Sequence, residues 1–394
     1  MATQYGSFLF RPSKQGFDIV IGNPPYGELR DLSEEQQQAN RRSPFYRYAQ
    51  GGRVNLFQFF YPLALDLCRK SGVVSFIVQN SLMAEDTTKL NRNLLLNQSK
   101  IILIDSFPER YDINKRVFKS VTMSVCICMV IKTIQDDYAF KVNIWDDKYK
   151  NTGKKLCIKK SNIISLYPET LLIPSCDQKS LELLVKIKEK ANYHIVANAG
   201  EIDMTKYRPY FTQNIDDIRI ITGSNVAAYK LAEDGSFGKD FLLPKEIVDT
   251  LSRADIIKYD RIVLQRITGV NAKKRFIGSI LSKPLLCANS TNYISTKNND
   301  INLSYLLGLL NSRLLTYFDK LTNTNANITA GVLHALPIRL SNQQLIIDLV
   351  NKILEEKHAN PQADTSLLED EIDKLVYKLY ELTLEEIAMI EQAN

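Results

Sequence analysis

The sequence predicts an α/β fold: a partial sheet with crossing helices, then an α+β domain, then a helical C-terminal segment. Three observations carry this. Apolar runs at Gly16–Ile21, Val73–Val78 and Ile101–Phe107 alternate with helix-like stretches, the alternation of an α/β sheet. Beyond about Thr152 the pattern breaks into short strand-like runs separated by Gly, Asn and Asp. The last 50 residues turn acidic and take helical spacing. The corresponding spans are 1–150, 151–344 and 345–394.

Taken in order, the strand Phe17-Asp-Ile-Val-Ile21 ends in Gly22 and the abrupt turn Asn23-Pro24-Pro25-Tyr26. The polar stretch Gly27 to Arg53 reads as a long surface loop. Asn55 can cap a helix with Leu56, Phe59, Phe60, Leu63 and Leu67 on one face, Pro62 marking a kink or an early first turn. Gly72 reads as its stop, and a buried strand follows at Val73–Val78. A helix over Leu90–Asn97 and strands at Ile101–Phe107, Val121–Ile131 and Ala139–Trp145 complete the sheet, the last two as a hairpin around Gln135-Asp136-Asp137. A lysine-rich connector then leads to an amphipathic helix at Leu181–Lys190. Strands at Ile262–Arg266 and from Tyr293 and one strong helix over Leu303–Phe318 mark the second domain. In the tail, Ser366-Leu-Leu-Glu369 and Thr383-Leu-Glu-Glu386 have capping-box spacing, and Leu368, Ile372, Leu375, Val376 and Leu379 form a packing stripe.

Composition narrows the function. The 394 residues are 45% apolar and 24% charged, and charges interrupt every long apolar stretch, which excludes a transmembrane protein. The first residues lack the apolar core of a secretion signal. Six scattered cysteines without a CxxC pair, two of them (Cys126 and Cys128) on alternate strand positions, read as buried thiols of a cytoplasmic protein. No metal spacing joins His194, His334 and His358. The last 50 residues hold 12 acidic against 4 basic side chains, leaving 46 basic against 32 acidic in the first 344. That excess points weakly to a polyanion partner.

The tetrapeptide Asn23–Tyr26 carries the chemistry. Ligands of open α/β sheets sit outside the strand carboxyl ends, where this turn lies. Two prolines fix φ and remove two backbone donors, which leaves the Asn23 side-chain oxygen and the Pro24 carbonyl as acceptors beside the Tyr26 ring. An exocyclic amino group on a nucleobase needs that arrangement: two acceptors for its two hydrogens, and a ring on which the base stacks.

The motifs resemble the amino-group DNA methyltransferases, specifically adenine-N6 enzymes of restriction–modification systems with a TaqI-like C-terminal specificity domain. Phe17-Asp-Ile-Val-Ile-Gly-Asn-Pro-Pro-Tyr26 is similar to that family's catalytic strand and turn. Asn55-Leu-Phe-Gln-Phe-Phe60, Ser71-Gly-Val-Val-Ser-Phe-Ile-Val78 and Ile101-Ile-Leu-Ile-Asp-Ser-Phe107 continue the order. Tyr305-Leu-Leu-Gly-Leu-Leu-Asn-Ser312 with Leu336-Pro-Ile338 resembles the specificity-domain signature, and residues 369–382 resemble the family's tail. The resemblance implies a Rossmann-like methyltransferase sheet, S-adenosylmethionine as methyl donor, double-stranded DNA as partner, Asn23, Pro24, Pro25 and Tyr26 as catalytic residues, and Phe118 as an aromatic against the flipped base.

Family members carry a glycine-rich loop and an acidic strand end before the catalytic strand. Neither stands among the 22 residues before Asn23, where Gly6, Gly16 and Gly22 form no Gly-x-Gly. The expectation is a chain holding the catalytic half of a methyltransferase whose amino-terminal part is supplied separately, truncated or lost, with an N-terminal methyltransferase fragment or a restriction partner. For DNA, the segment 256–283 holds Lys258, Arg261, Arg266, Lys273, Lys274, Arg275 and Lys283 against Asp260 alone, with Tyr259 and Phe276 interleaved. Gln265 and Arg266 suit adenine and guanine edges. The loop Thr322–Thr329 is a candidate groove-reaching element. The rival expectation is a non-catalytic recognition module or a subunit of a larger restriction complex.

Overall fold

The computed structural model describes residues 16–50, 53–109, 111–119, 122–146, 151–232, 241–269, 272–295, 301–323, 326–341 and 344–393. By contacts the chain divides into two compact units, Met1–Val185 and Lys186–Asn394.

The first unit is built on a six-stranded sheet: β1 (Phe17–Gly22), β2 (Cys68–Gln79), β3 (Lys100–Phe107), β4 (Val125–Ile131), β5 (Ala139–Trp145) and β6 (Asn151–Lys159), in the spatial order β1-β2-β4-β3-β5-β6. β1 runs parallel to β2 and β5 parallel to β3, while β4 is antiparallel to both β2 and β3. The expected hairpin does not form. β3 lies between β4 and β5, so the polar turn after Ile131 carries the chain past a strand. A local turn signal fixes a reversal of direction, not the identity of the neighbour. The lysine-rich connector is β6, antiparallel to β5.

Two further expectations change. The polar stretch 27–53 contains a helix, Glu34–Arg42, with no buried residue. A capping box makes it: Ser33 Oγ accepts from Gln36 N–H at 3.3 Å and Gln36 Oε1 accepts from Ser33 N–H at 3.2 Å. Glu34 and Glu35 in the first turn and Arg41 and Arg42 in the last complement the helix dipole. The next helix, Phe60–Leu67, has Pro62 in its first turn and ends at Leu67, five residues before Gly72. Gly72 lies inside β2, where an added Cβ would stand 2.5 Å from Cys68 Sγ and 2.9 Å from the Phe17 carbonyl. It allows β1 and β2 to approach rather than stopping a helix.

The core of this unit seals one face of the central strands, while the alternate positions Ile77, Ile127, Met129 and Leu103 on the other face are half-buried. Tyr61, Val74, Val78, Ile104, Cys126, Cys128 and Val130 are completely inaccessible. Arg92, also inaccessible, donates to the carbonyls of Leu82, Glu85 and Thr170, tying helix Lys89–Gln98 to two loops. β1 differs. Among the described residues its outer edge has no partner strand, and Ile19 and Ile21, on one face at a spacing of two, are 65% and 78% exposed.

The second unit holds an antiparallel sheet of Gly278–Leu281, Arg261–Gln265, Thr291–Ser295 and Ala197–Ala199, and a smaller sheet of Phe241–Leu243, Ile218–Ile221 and Leu286–Cys287. The expected single helix over Leu303–Phe318 is two, Leu303–Leu310 and Arg313–Thr322. The Asn311 side-chain amide bonds both the N–H and the C=O of Gly278, each at 3.3 Å, and Ser312 Oγ caps the second helix. Gly308 is required by close approach: a Cβ there would lie 2.9 Å from Ile346 Cγ2 and 3.0 Å from Val350 Cγ2 on helix Gln344–Ala359. In the tail, Thr383 and Glu386 form the expected capping box. Ser366 does not cap; it is the first residue of its helix, and Thr365 bonds Glu369 instead. Tyr380 donates to the Pro337 carbonyl and accepts from Arg339 N–H, which docks the tail on the Leu336-Pro-Ile338 motif.

Candidate functional site

β1 delivers Asn23–Tyr26 at its carboxyl end, directly after the Gly22–Phe76 pairing with β2. Asn23 and Pro25 are exposed, Pro24 is buried and Tyr26 is half-buried. Three side-chain contacts hold the turn. Tyr26 Oη donates to the Ile77 carbonyl at 3.2 Å. The Tyr26 carbonyl accepts from Asn55 Nδ2 at 2.6 Å and from Gln79 Nε2 at 3.2 Å. Backbone bonds add Leu56 N–H to the Gly27 carbonyl at 2.8 Å. Asn23 takes no part in these bonds.

Asn55 and Gln79 are the residues that sequence reasoning missed. Asn55 was expected as a cap, and its Oδ1 does cap, accepting from Phe57 N–H at 3.3 Å, while its Nδ2 reaches back to the turn. The only sequence signal was the polar Gln79 ending an apolar strand.

Phe118 is brought to Tyr26. The two rings meet edge to face, centroids 6.3 Å apart and planes at 63°. Burial, with a contribution from Cys126, pushes the Tyr26 phenol up to about 12, so the ring stays neutral and its hydroxyl remains a donor. A spectrophotometric titration is therefore expected to separate the parent from Tyr26→Phe only near about 12, rather than near the ordinary 10.0. An earlier divergence would contradict the buried anchor. Cys126 and Cys128 are buried thiols pushed up by desolvation, so both stay protonated and act as core packing.

The basic segment of the second unit divides sharply. Arg261 and Arg275 are completely inaccessible and do not face a ligand. Arg261 pairs with buried Glu201, donates to the Leu285 carbonyl and lies 4.6 Å from the Tyr293 ring centroid. Arg275 Nε meets Asp319 Oδ2 at 2.6 Å, and its Nη1 donates to the carbonyls of Thr268 and Gly269. Both expectations as DNA contacts are corrected: desolvation of these charges is offset by acidic partners distant in sequence. Phe276 is likewise core. Lys274 is half-buried, paired with Glu369 beside the Tyr229 ring. Gln265 and Arg266 are half-buried, donating to the carbonyls of Val226 and Asn289. Lys258 and Lys273 are exposed.

The structure brings together two segments that the sequence suggested separately. Thr268 N–H donates to the Ala326 carbonyl, Ile328 N–H to the Arg266 carbonyl, and Ile267 bridges Asn327. The basic loop and the Asn/Thr-rich loop thus lie side by side, with Ile267 65% exposed between Arg266 and Thr268. Among the described residues no group of His, Cys, Asp and Glu could hold a metal ion, and no helix is long and apolar enough to cross a membrane.

Residues 3–114 match the family described as Eco57I restriction-modification methylase, and residues 218–338 match the TaqI-like C-terminal specificity domain. The two matches fall on separate parts of the chain, one similar to a restriction–modification methylase and the next to a TaqI-like specificity domain. A type II restriction enzyme and methyltransferase of Methanocaldococcus jannaschii is 23% identical over 399 aligned residues, covering 93% of this chain and 31% of that protein. The type II methyltransferase M.HincII of Haemophilus influenzae is 27% identical over 43% of this chain and 31% of its own length. The chain therefore spans about a third of the length of these curated relatives. The type IIL restriction-modification enzyme MmeI, solved with DNA, is similar in fold at a TM-score of 0.50 and 13% identity, over 95% of this chain and 56% of that one.

The part that matches the methylase model holds the Asn23–Tyr26 turn, with Phe118 just beyond its end, and the part that matches the specificity domain holds the paired loops. Methylases of this kind imply S-adenosylmethionine. The described residues do not fit that cofactor by themselves: a small-molecule pocket encloses most of its ligand, whereas the side of the turn toward β1 ends in the bare Ile19 and Ile21.

Proposed function

We propose that this chain is the acceptor-binding and sequence-reading portion of a DNA adenine-N6 methyltransferase, whose complete reaction transfers methyl from S-adenosylmethionine to a flipped-out adenine in duplex DNA. The observation that carries the reading is the exposed Asn23 on a proline-stiffened turn at the end of a parallel strand, with Tyr26 and Phe118 beside it. Asn23 Oδ1 and the Pro24 carbonyl accept the two hydrogens of the adenine amino group, and the fixed acceptors draw that nitrogen toward tetrahedral geometry. Tyr26 offers a neutral ring for stacking. Phe118, now edge-on to Tyr26, turns to receive the base, which offsets part of the cost of unstacking it.

The cofactor side belongs in this reading to a methyltransferase segment beyond the described residues, which pairs with the open edge of β1 and covers Ile19 and Ile21. An unpaired strand with an apolar face is a template for such an addition. A second reading, a recognition module or subunit that binds DNA without catalysis, is favoured by the same open strand.

Duplex recognition in the second unit rests on Lys258 and Lys273 for phosphates and on Gln265, Arg266 and Lys274 at the edge of the paired loops. Lys258→Ala and Lys273→Ala are each expected to lower the slope of log affinity against log salt by about 1 in a gel-shift series. Unchanged slopes would remove this surface from DNA binding. The test of the division of labour is calorimetric titration of the full chain with S-adenosylmethionine beside a gel shift with duplex DNA. A shift without cofactor affinity is expected; micromolar cofactor binding would overturn it. Methyl transfer after addition of a cofactor-binding segment separates the enzyme from the module.

A further inference from the structure

Gln79, the last residue of β2, joins two parts of the candidate site that are far apart in the sequence. Its Nε2 donates to the Tyr26 carbonyl at 3.2 Å and lies 2.9 Å from Met123 Sδ. A primary amide carries two N–H groups, so one nitrogen serves both partners. Its Oε1 accepts from Ser81 Oγ at 3.4 Å, which sets the amide with nitrogen toward the turn and oxygen away from it. Its own carbonyl lies 3.8 Å from Cys126 Sγ on the neighbouring strand β4. Met123 belongs to the segment between β3 and β4 that carries Phe118, and it is partly exposed.

The geometry points to Gln79 as a positioning residue: its side-chain amide couples the Asn23–Tyr26 turn to the Phe118-bearing segment and so sets the separation of the two rings that receive the base. This rests on the base-binding reading of the turn. Asn55 holds the same Tyr26 carbonyl from the other side at 2.6 Å, so both lone pairs of that oxygen are occupied and the turn is fixed against rotation. The other bonds of Asn55, to Phe57 and Gln58, stay within its own helical turn. Gln79 reaches both the turn and Met123, and so adds a second link beside the direct contact of the Tyr26 and Phe118 rings.

Gln79→Glu keeps the shape of the side chain but replaces both N–H donors with an acceptor facing a carbonyl and a sulfur. Met123→Leu keeps the apolar volume and removes only the sulfur. The experiment uses the full chain with para-fluorophenylalanine replacing Phe118, read by fluorine NMR during titration with deoxyadenosine, with thermal melting alongside. The parent line is expected to move on titration. Gln79→Glu is expected to weaken deoxyadenosine by about ten-fold, the effect of losing a positioning hydrogen bond, with a melting temperature near the parent's. Equal affinity in parent and Gln79→Glu overturns the coupling and leaves the base-binding reading standing. A parent line unmoved by deoxyadenosine overturns the base-binding reading instead. The ligand-free line then decides the coupling: displacement in both Gln79→Glu and Met123→Leu supports it, and an unchanged line overturns it.

Discussion

Replacing Asn23 with alanine is expected to lower the rate of methyl transfer by a factor of about 10²–10³ while leaving duplex affinity unchanged. The reason is local. Asn23 is exposed at the end of β1, and the bonds that hold the turn run through Tyr26, Gly27, Asn55 and Gln79. Truncation therefore leaves the backbone geometry in place and removes one acceptor from the amino group. An interaction made most strongly as that nitrogen becomes tetrahedral appears in kcat more than in binding. The measurement is incorporation of labelled methyl into duplex DNA by the chain combined with its cofactor-binding segment, beside a gel shift of the variant alone. Full activity in Asn23→Ala would remove the residue from catalysis. Loss of DNA affinity would show that the variant acts on folding rather than on the reaction.

The second large effect is on stability. Asp319→Ala is expected to destabilise the second unit by about 3–5 kcal/mol, because it leaves the guanidinium of Arg275 buried without its counter-charge. Thr268 and Gly269 still accept from Nη1, but neutral carbonyls do not replace the carboxylate at Nε. The double variant Arg275→Met with Asp319→Leu removes both charges and is expected to recover most of the loss. Urea unfolding of the full chain followed by circular dichroism reads both. A single variant as stable as the parent would mean that the pair contributes nothing. The double variant also separates core from interface: its gel-shift salt slope should equal the parent's, since Arg275 is sealed from solvent.

That pair illustrates what the sequence could and could not convey. The strand and turn at residues 17–26 were legible because both signals are local: an apolar run, and two prolines that fix the backbone wherever they stand. Helix Glu34–Arg42 was equally local but written in capping chemistry rather than an apolar stripe, so a search for apolar periodicity passed over it. The arginines failed for a different reason. Glu201 lies 60 residues before Arg261 and Asp319 lies 44 after Arg275, so counting charge over a window of neighbours saw an uncompensated cluster. Strand order failed likewise, since the turn after Ile131 does not say which strand the chain meets next. The Tyr26–Phe118 approach followed from family resemblance, and the amide that links their segments was visible only in three dimensions.

The placement of β4 has a consequence for how this chain comes off the ribosome. β4 fills the gap between β2 and β3, both of which are made before it. While synthesis has not passed Ile131, those two earlier strands have each lost nothing of their length yet lack the neighbour that joins them. A nascent chain halted before that residue would expose two ribbons of unsatisfied amides, a species suited to chaperone capture. The two inner edges can be matched only after the ribbon that lies between them has been synthesised.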